Sequence, residues 1–133
     1  MRVIVLVENT SISKDYKSKH GLCLYIETKK HKLLFDLGSN SLFLKNAVKL
    51  GVNITDIDSV IISHGHNDHG GALKYFLENN AKANIYISRY AFEEYYANFL
   101  GMKWNVGLDR KLKDHPRIIL IEDEYVIDEE LQI

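Results

Sequence analysis

Three shortages narrow the reading of this chain before any motif is considered. Cysteine is scarce: Cys23 is the only one, so no disulfide can close within the chain. Its place in the apolar stretch Leu22 to Ile26 predicts a buried free thiol, in keeping with a reducing compartment. Proline is scarcer than usual too, with Pro116 alone in 133 residues, and composition excludes a collagen-like, low-complexity or disordered chain. Neither sign of charge prevails. Seventeen Lys and Arg stand against eighteen Asp and Glu, a formal charge of -1, which supplies no general reason to bind nucleic acid or an anionic membrane. Long apolar runs are also missing. Met1-Arg2 followed by Val3 to Val7 imitates the start of a signal peptide, but the run ends at Glu8, and no later run could span a bilayer. The expected location is the cytoplasm, with no nucleic-acid and no membrane partner.

What is present reads as one globular domain, residues 1–133, in which 46% of residues are hydrophobic and 26% charged. A chain of this size buries roughly two-thirds of the surface that its unfolded form exposes, so it can build a core without staples. Val3 to Val7 is a continuous β-branched run and predicts a strand covered on both faces. Leu22 to Glu27 and Lys32 to Phe35, separated by the polar Thr28 to His31, predict a hairpin whose lysines lie in a solvated turn. Ser39 to Leu50 carries Phe43, Ala47 and Leu50 at helical spacing, with Gly51 as its stop. Asp58 to Ile62 predicts a short buried strand, and a helix is expected from Ala72 through Leu77.

The second half of the chain offers a further strand at Asn84 to Ile87. Ser88 is in position to cap a helix with Phe92, Tyr95, Tyr96 and Phe99 on one stripe, ended by Gly101. Such a stripe is expected to serve as core, although four large aromatics could also line a pocket. Met102 to Pro116 reads as an irregular basic loop, and Arg117 to Ile121 and Tyr125 to Ile127 as two last strands. The acidic residues from Glu122 to Glu130 read as solvated turn and edge charges.

Chemistry concentrates in Ser63-His64-Gly65-His66-Asn67-Asp68-His69-Gly70-Gly71, which places three imidazoles and a carboxylate within six residues between a strand and a helix. Imidazole plus carboxylate is the common ligand set of zinc and of related borderline or hard metals. Glycines in the loop allow the backbone to wrap closely around such a point. Of the other histidines, His20 and His31 lie in polar, Lys-rich surroundings and are expected at the surface. His115 precedes Pro116 in the basic loop, a setting unlike that of a ligand.

The run His64-x-His66-x-Asp68-His69 resembles the signature of the metallo-β-lactamase superfamily, and Leu33-Leu34-Phe35-Asp36-Leu37-Gly38 resembles the hydrophobic-Asp-x-Gly turn that precedes it there. Asn9-Thr10, Gly21-Leu22 and the stretch from His64 to Leu73 look most like the branch of dihydropterin-ribofuranosylaminobenzene-phosphate synthase-like proteins. The fold this resemblance implies is α/β, the N-terminal half of an αβ/βα sandwich with a mixed sheet and helices on one face. It further implies that His64 and His66 ligate a first divalent metal and Asp68 and His69 a second. Zinc is the leading expectation, with manganese and iron as alternatives. Asp36 would orient the site, and Asp68 would in addition act catalytically by holding the hydrogen bonds of the attacking water. In such enzymes the metals generate a nucleophile near neutral pH and polarise the bond under attack.

Complete members of the family carry a second β-rich half with another histidine for the first metal, a bridging carboxylate and a last histidine. Residues 1–133 show no counterpart of these. The expectation is therefore a metal-dependent hydrolase whose site is completed by a second copy, most simply in a homodimer, or by a separate chain, and whose substrate is a small molecule, phosphate-containing on the branch resemblance. The alternative is a metal-binding or self-associating remnant without turnover.

Overall fold

In the computed structural model, which describes residues 1–133, the first strand β1 (Arg2–Val7) lies at the edge of a six-stranded sheet and pairs antiparallel with β2 (Cys23–Glu27). A two-stranded turn at Thr28–His31, closed by the Thr28 N–H donating to the His31 carbonyl at 2.9 Å, leads into β3 (Lys32–Phe35), again antiparallel. From there the sheet is parallel through β4 (Ser59–Ile62), β5 (Asn84–Ser88) and β8 (Ile118–Ile121), in the order β1-β2-β3-β4-β5-β8. The expected hairpin and the expected mixed α/β sheet are both present.

Between β3 and β4 the chain crosses over through α1 (Leu42–Lys49), three residues shorter at its start than Ser39 predicts because the Asn40 side chain accepts from the Leu42 N–H at 3.1 Å and turns the backbone first. Between β4 and β5 it crosses through the short α2 (Asn67–Gly70) and then α3 (Leu73–Asn79). Phe43 and Ala47 of α1 and Leu73 and Phe76 of α3 are buried with Leu6, Cys23, Leu34, Val60, Ile85 and Ile87 in one apolar cluster. Strand side chains alternate between faces, so this set is one face of the sheet. Cys23 is buried there as expected, and burial, reinforced by the nearby Asp36 charge, pushes its thiol well above the ordinary range. Asn80, at the end of α3, is buried and satisfied. Its amide donates to the carbonyls of Ile54 and Ile57, each at 2.9 Å, and its oxygen accepts from the Lys82 and Ala83 N–H groups.

Several sequence expectations fail. Val3 to Val7 is not covered on both faces: β1 is an edge strand, and Val3 and Val5 are 51% and 50% exposed. A β-branched run by itself does not say which end of a sheet it occupies. The aromatic helix after Ser88 does not form. Residues 89–92 make turns, and β6 (Tyr96–Phe99) and β7 (Met102–Asn105) form a separate antiparallel hairpin. Its turn residues Leu100 and Gly101 both have positive φ, 50° and 76°, the backbone twist that two-residue hairpins require. Phe92 is core, while Tyr96 and Phe99 are exposed. The same hairpin replaces the first part of the loop expected over Met102 to Pro116. Tyr125 to Ile127 contributes only a single bridge, Val126 to Gln132, rather than a strand.

On the sheet face away from the helices, the chain from Glu122 onward covers part of the surface. Tyr125 lies against Tyr86, ring centroids 5.2 Å apart, and Leu33 and Tyr86 on that face are buried. His31 anchors this segment, with Nε2 2.9 Å from Asp128 and Nδ1 3.3 Å from Asp58. The expectation of a surface His31 is thus wrong: its ring is largely buried between two carboxylates. The last residues thus fold back over part of that face.

Candidate metal centre

The three parallel strands β3, β4 and β5 end on the same side, and the segments following β3 and β4 meet there. Asp36 follows β3 with φ of 56°, a left-handed conformation that a short polar side chain tolerates. Its carboxylate is fully buried and fully used. Oδ1 accepts from the Ser63 N–H at 2.8 Å, and Oδ2 from the Ser63 hydroxyl at 2.8 Å and from His69 Nδ1 at 2.7 Å.

These bonds decide how two imidazoles are presented. A carboxylate only accepts, so His69 carries its proton on Nδ1 and turns a bare Nε2 outward. Ser63 has a single hydroxyl proton, already given to Asp36, and its oxygen lies 2.8 Å from His64 Nδ1. His64 is therefore the donor there, and its Nε2 is bare as well. One buried aspartate sets both tautomers, directly for His69 and through Ser63 for His64. Such an outer hydrogen bond is the usual device for aiming a metal-ligating histidine.

His64, Asp68 and His69 offer ligand atoms that all lie within 4.8 Å of one another. His66 stands outside this group, its ring edge-on to His64 at 4.7 Å between centroids and edge-on to Tyr95 at 5.3 Å. Of the four expected ligands the structure thus brings three together and sets His66 beside them. Burial first, then the neighbouring His69 and His66 imidazoles, hold the His64 pKa below its ordinary value. A neutral imidazole is the form that ligates a cation. The donor chemistry and the imposed tautomers fit a divalent metal.

Close backbone approaches hold the loop in place. A Cβ on Gly65 would fall 2.2 Å from the Ala91 carbonyl oxygen, and Asn67 donates its N–H to the Val106 carbonyl at 2.7 Å, so the β6–β7 segment is packed against the loop. Tyr95 is the member of the aromatic stripe that reaches the site, edge-on to His66, and of the four only Phe92 is core. On the other side the His69 carbonyl accepts from Leu37 N–H at 2.7 Å.

His20 is the residue that sequence reasoning missed. Its ring is exposed, as expected of a surface residue, but Nε2 lies 3.2 Å from Asp68 Oδ2, and it lines a cavity of about 290 Å³ with Asp68 and His69. The only signal was the adjacent Gly21-Leu22. A larger cavity of about 460 Å³ beside β1 contains none of the candidate ligands. His115 is remote in role, with Nδ1 accepting from the Arg117 N–H at 3.2 Å.

The sequence profile of the metallo-β-lactamase superfamily matches residues 19–131, and the chain belongs to that superfamily. It is 32% identical over 132 residues to the uncharacterized protein MJ0448 of Methanocaldococcus jannaschii, covering 96% of this chain and 50% of that protein. Among solved structures it resembles Tm1679, a metal-dependent hydrolase of the β-lactamase superfamily, with a TM-score of 0.72, 27% identity, and coverage of 98% of this chain and 46% of that one. MEM-A1, a subclass B3 metallo-β-lactamase from a soil metagenome library, shares the fold at a TM-score of 0.57 and 16% identity, over 80% of this chain and 42% of its own. The chain therefore spans about half the length of the relatives it matches.

Proposed function

We propose that the protein works as a metal-dependent hydrolase of the metallo-β-lactamase superfamily, related to the dihydropterin-ribofuranosylaminobenzene-phosphate synthase-like branch and acting on a small phosphate-containing substrate in the cytoplasm. The observation that carries this is the single buried carboxylate, Asp36, holding His64 and His69 with their Nε2 atoms bare beside the Asp68 carboxylate. A divalent cation bound there, zinc first among the candidates, supplies Lewis acidity and lowers the pKa of water at the reacting bond. His64, Asp68 and His69 hold it, with His66 joining from the side on which it already meets His64. A free oxygen of Asp68 orients the attacking water. Asp36 fixes the orientation of both imidazoles, directly for His69 and through Ser63 for His64, so that each presents Nε2.

Catalytic zinc normally takes three protein ligands and keeps one position open. Three clustered donors do not serve two metals, so we assign the remaining ligands to a second polypeptide or a second copy. A homodimer packed through the sheet face at β1, where Val3 and Val5 remain half exposed, is the form we favour.

Metal analysis and titration calorimetry on the wild type and on a His66→Ala/His69→Ala double variant test the site. Stoichiometric uptake by the wild type and its loss in the variant support it; equal uptake by both rejects it. Phosphodiester hydrolysis by the purified chain is expected to be very slow, since misplacement of reacting groups by about 1 Å can cost around a hundredfold. Metal uptake with no turnover under any oligomeric condition favours the alternative, a metal-binding module that does no chemistry.

A further inference from the structure

We propose that His20 is a third protein ligand at the Asp68–His69 half of the metal centre. The proposal rests on the metal reading above and extends it to a residue from a different part of the chain. His20 Nε2 lies 3.2 Å from Asp68 Oδ2, and His69 Nε2 lies 3.4 Å from the same oxygen. Neither separation is that of a short, charge-assisted hydrogen bond, which for a nitrogen on a carboxylate is about 2.7–2.9 Å. Both are close to the spacing of two donors on one tetrahedral ion: ligand atoms about 2.0–2.1 Å from zinc stand about 3.3–3.4 Å apart. Asp68 thus faces each of two imidazole nitrogens at the spacing that neighbouring ligand atoms keep on one cation, while His20 itself stands outside the group of three whose atoms all lie within 4.8 Å of one another.

The backbone around His20 is built for this approach. Gly21 has φ of 128°, and a Cβ there would fall 2.0 Å from the Asp68 carbonyl oxygen, so only glycine lets the two segments come so close. The Leu22 N–H donates to that same carbonyl at 3.3 Å, and the Gly21 N–H donates to Asn9 Oδ1 at 3.1 Å. The residue immediately before Gly21 is therefore delivered to the Asp68 side chain by main-chain contacts that involve no part of its own ring. Its exposure, 80% for the side chain, leaves the ring free to settle onto an ion in the cavity it lines with Asp68 and His69. His20 in this way supplies from within the chain a donor that the Asp68–His69 pair otherwise lacks.

Cobalt(II) titration followed by visible absorption tests the assignment on the full chain, comparing wild type with His20→Ala, His69→Ala and His115→Ala. Ligation by His20 predicts that His20→Ala weakens cobalt binding by at least about tenfold, the low end of what losing a metal-site partner costs, and also changes the absorption of the saturated protein, because the number of nitrogen donors falls. His115→Ala should leave both unchanged. Weakened binding with an unaltered saturated spectrum overturns ligation and leaves His20 a positioning residue for Asp68. Unchanged affinity in His20→Ala together with loss in His69→Ala overturns this inference while the metal reading stands. Absence of cobalt binding by the wild type rejects both. Circular dichroism of each variant separates a lost ligand from a lost fold.

Discussion

His69 is held by a residue thirty-three positions earlier: its Nδ1 lies 2.7 Å from Oδ2 of Asp36, a carboxylate wholly removed from solvent. The same carboxylate receives both the backbone N–H and the hydroxyl of Ser63, and the hydroxyl passes the orientation on to His64. Strand β3 and the loop after β4 are thereby joined at the point where the site needs both imidazoles fixed. Structure and chemistry depend on one side chain.

Replacing Asp36 by alanine is expected to damage stability and metal binding together. It removes the partner of the Ser63 N–H, the Ser63 hydroxyl and His69 Nδ1, and because Ser63 is exposed and His69 half-buried, water offsets part of a cost that for a fully buried group is about 1–3 kcal/mol. Asp36→Asn keeps the shape but offers only one accepting oxygen for three donors. It should lose less in a thermal melt than Asp36→Ala while still lowering metal affinity about tenfold or more by calorimetry. A wild-type affinity in Asp36→Asn would show that the tautomers are set by something else.

Gly21→Ala probes the contact between β2 and the metal loop. The left-handed backbone adds strain of about 1–3 kcal/mol for a residue with a side chain, and the new methyl collides with the Asp68 carbonyl, a main-chain atom that cannot rotate away. The expected result is a lower melting temperature and weakened metal uptake. Normal metal uptake in a destabilised Gly21→Ala protein would separate the strand contact from the site.

The fold-back of the last residues should depend on pH through His31. Burial alone would lower its pKa, but the hydrogen bonds its ring makes to the Asp128 and Asp58 carboxylates outweigh that effect and raise it. The folded state then binds the proton more tightly than the unfolded state does. The resulting stability is fully present below the unfolded value, about 6.5, and is lost as pH rises through the raised folded value. The melting temperature of wild type should therefore exceed that of His31→Gln more at pH 5.5 than at pH 8.5. A difference independent of pH would show that His31 anchors the segment as a neutral ring.

Packing of a second copy on the sheet face at β1 predicts that a Val3→Lys/Val5→Lys variant keeps the fold and loses the partner. Both positions are half exposed, where substitutions usually change stability by within about 0.5 kcal/mol, and two lysine charges on that face oppose its burial against another sheet. Sedimentation of wild type across a dilution series should show a dimer that the variant lacks. A wild type that stays monomeric at micromolar concentration rejects the homodimer and leaves a separate chain as the partner.

Much of the fold was legible because the signals were local. The β2–β3 hairpin, α1 and the parallel strands β4 and β5 follow from apolar runs and spacings inside windows of four to ten residues, and Gly51 marks the end of α1 as expected. The aromatic segment misled for a physical reason. Phe92, Tyr95, Tyr96 and Phe99 fit a helical stripe, yet the same residue types favour strands, and Leu100-Gly101 at positive φ closes a hairpin that no spacing pattern distinguishes in advance.

The motif His64-x-His66-x-Asp68-His69 determined the kind of site, because ligand chemistry is a property of residue types and short spacings, and its resemblance to the metallo-β-lactamase signature implied the superfamily and the fold class. Only the tertiary structure decided which of those residues meet. It set His66 to one side, buried Asp36 with every acceptor position occupied, carried His20 to Asp68 across forty-eight positions of sequence, and laid the last dozen residues over the sheet with His31 as their anchor. Those contacts arise where parallel strand ends converge and glycine permits main chains to touch, and neither condition is written in the spacing of the residues that it brings together.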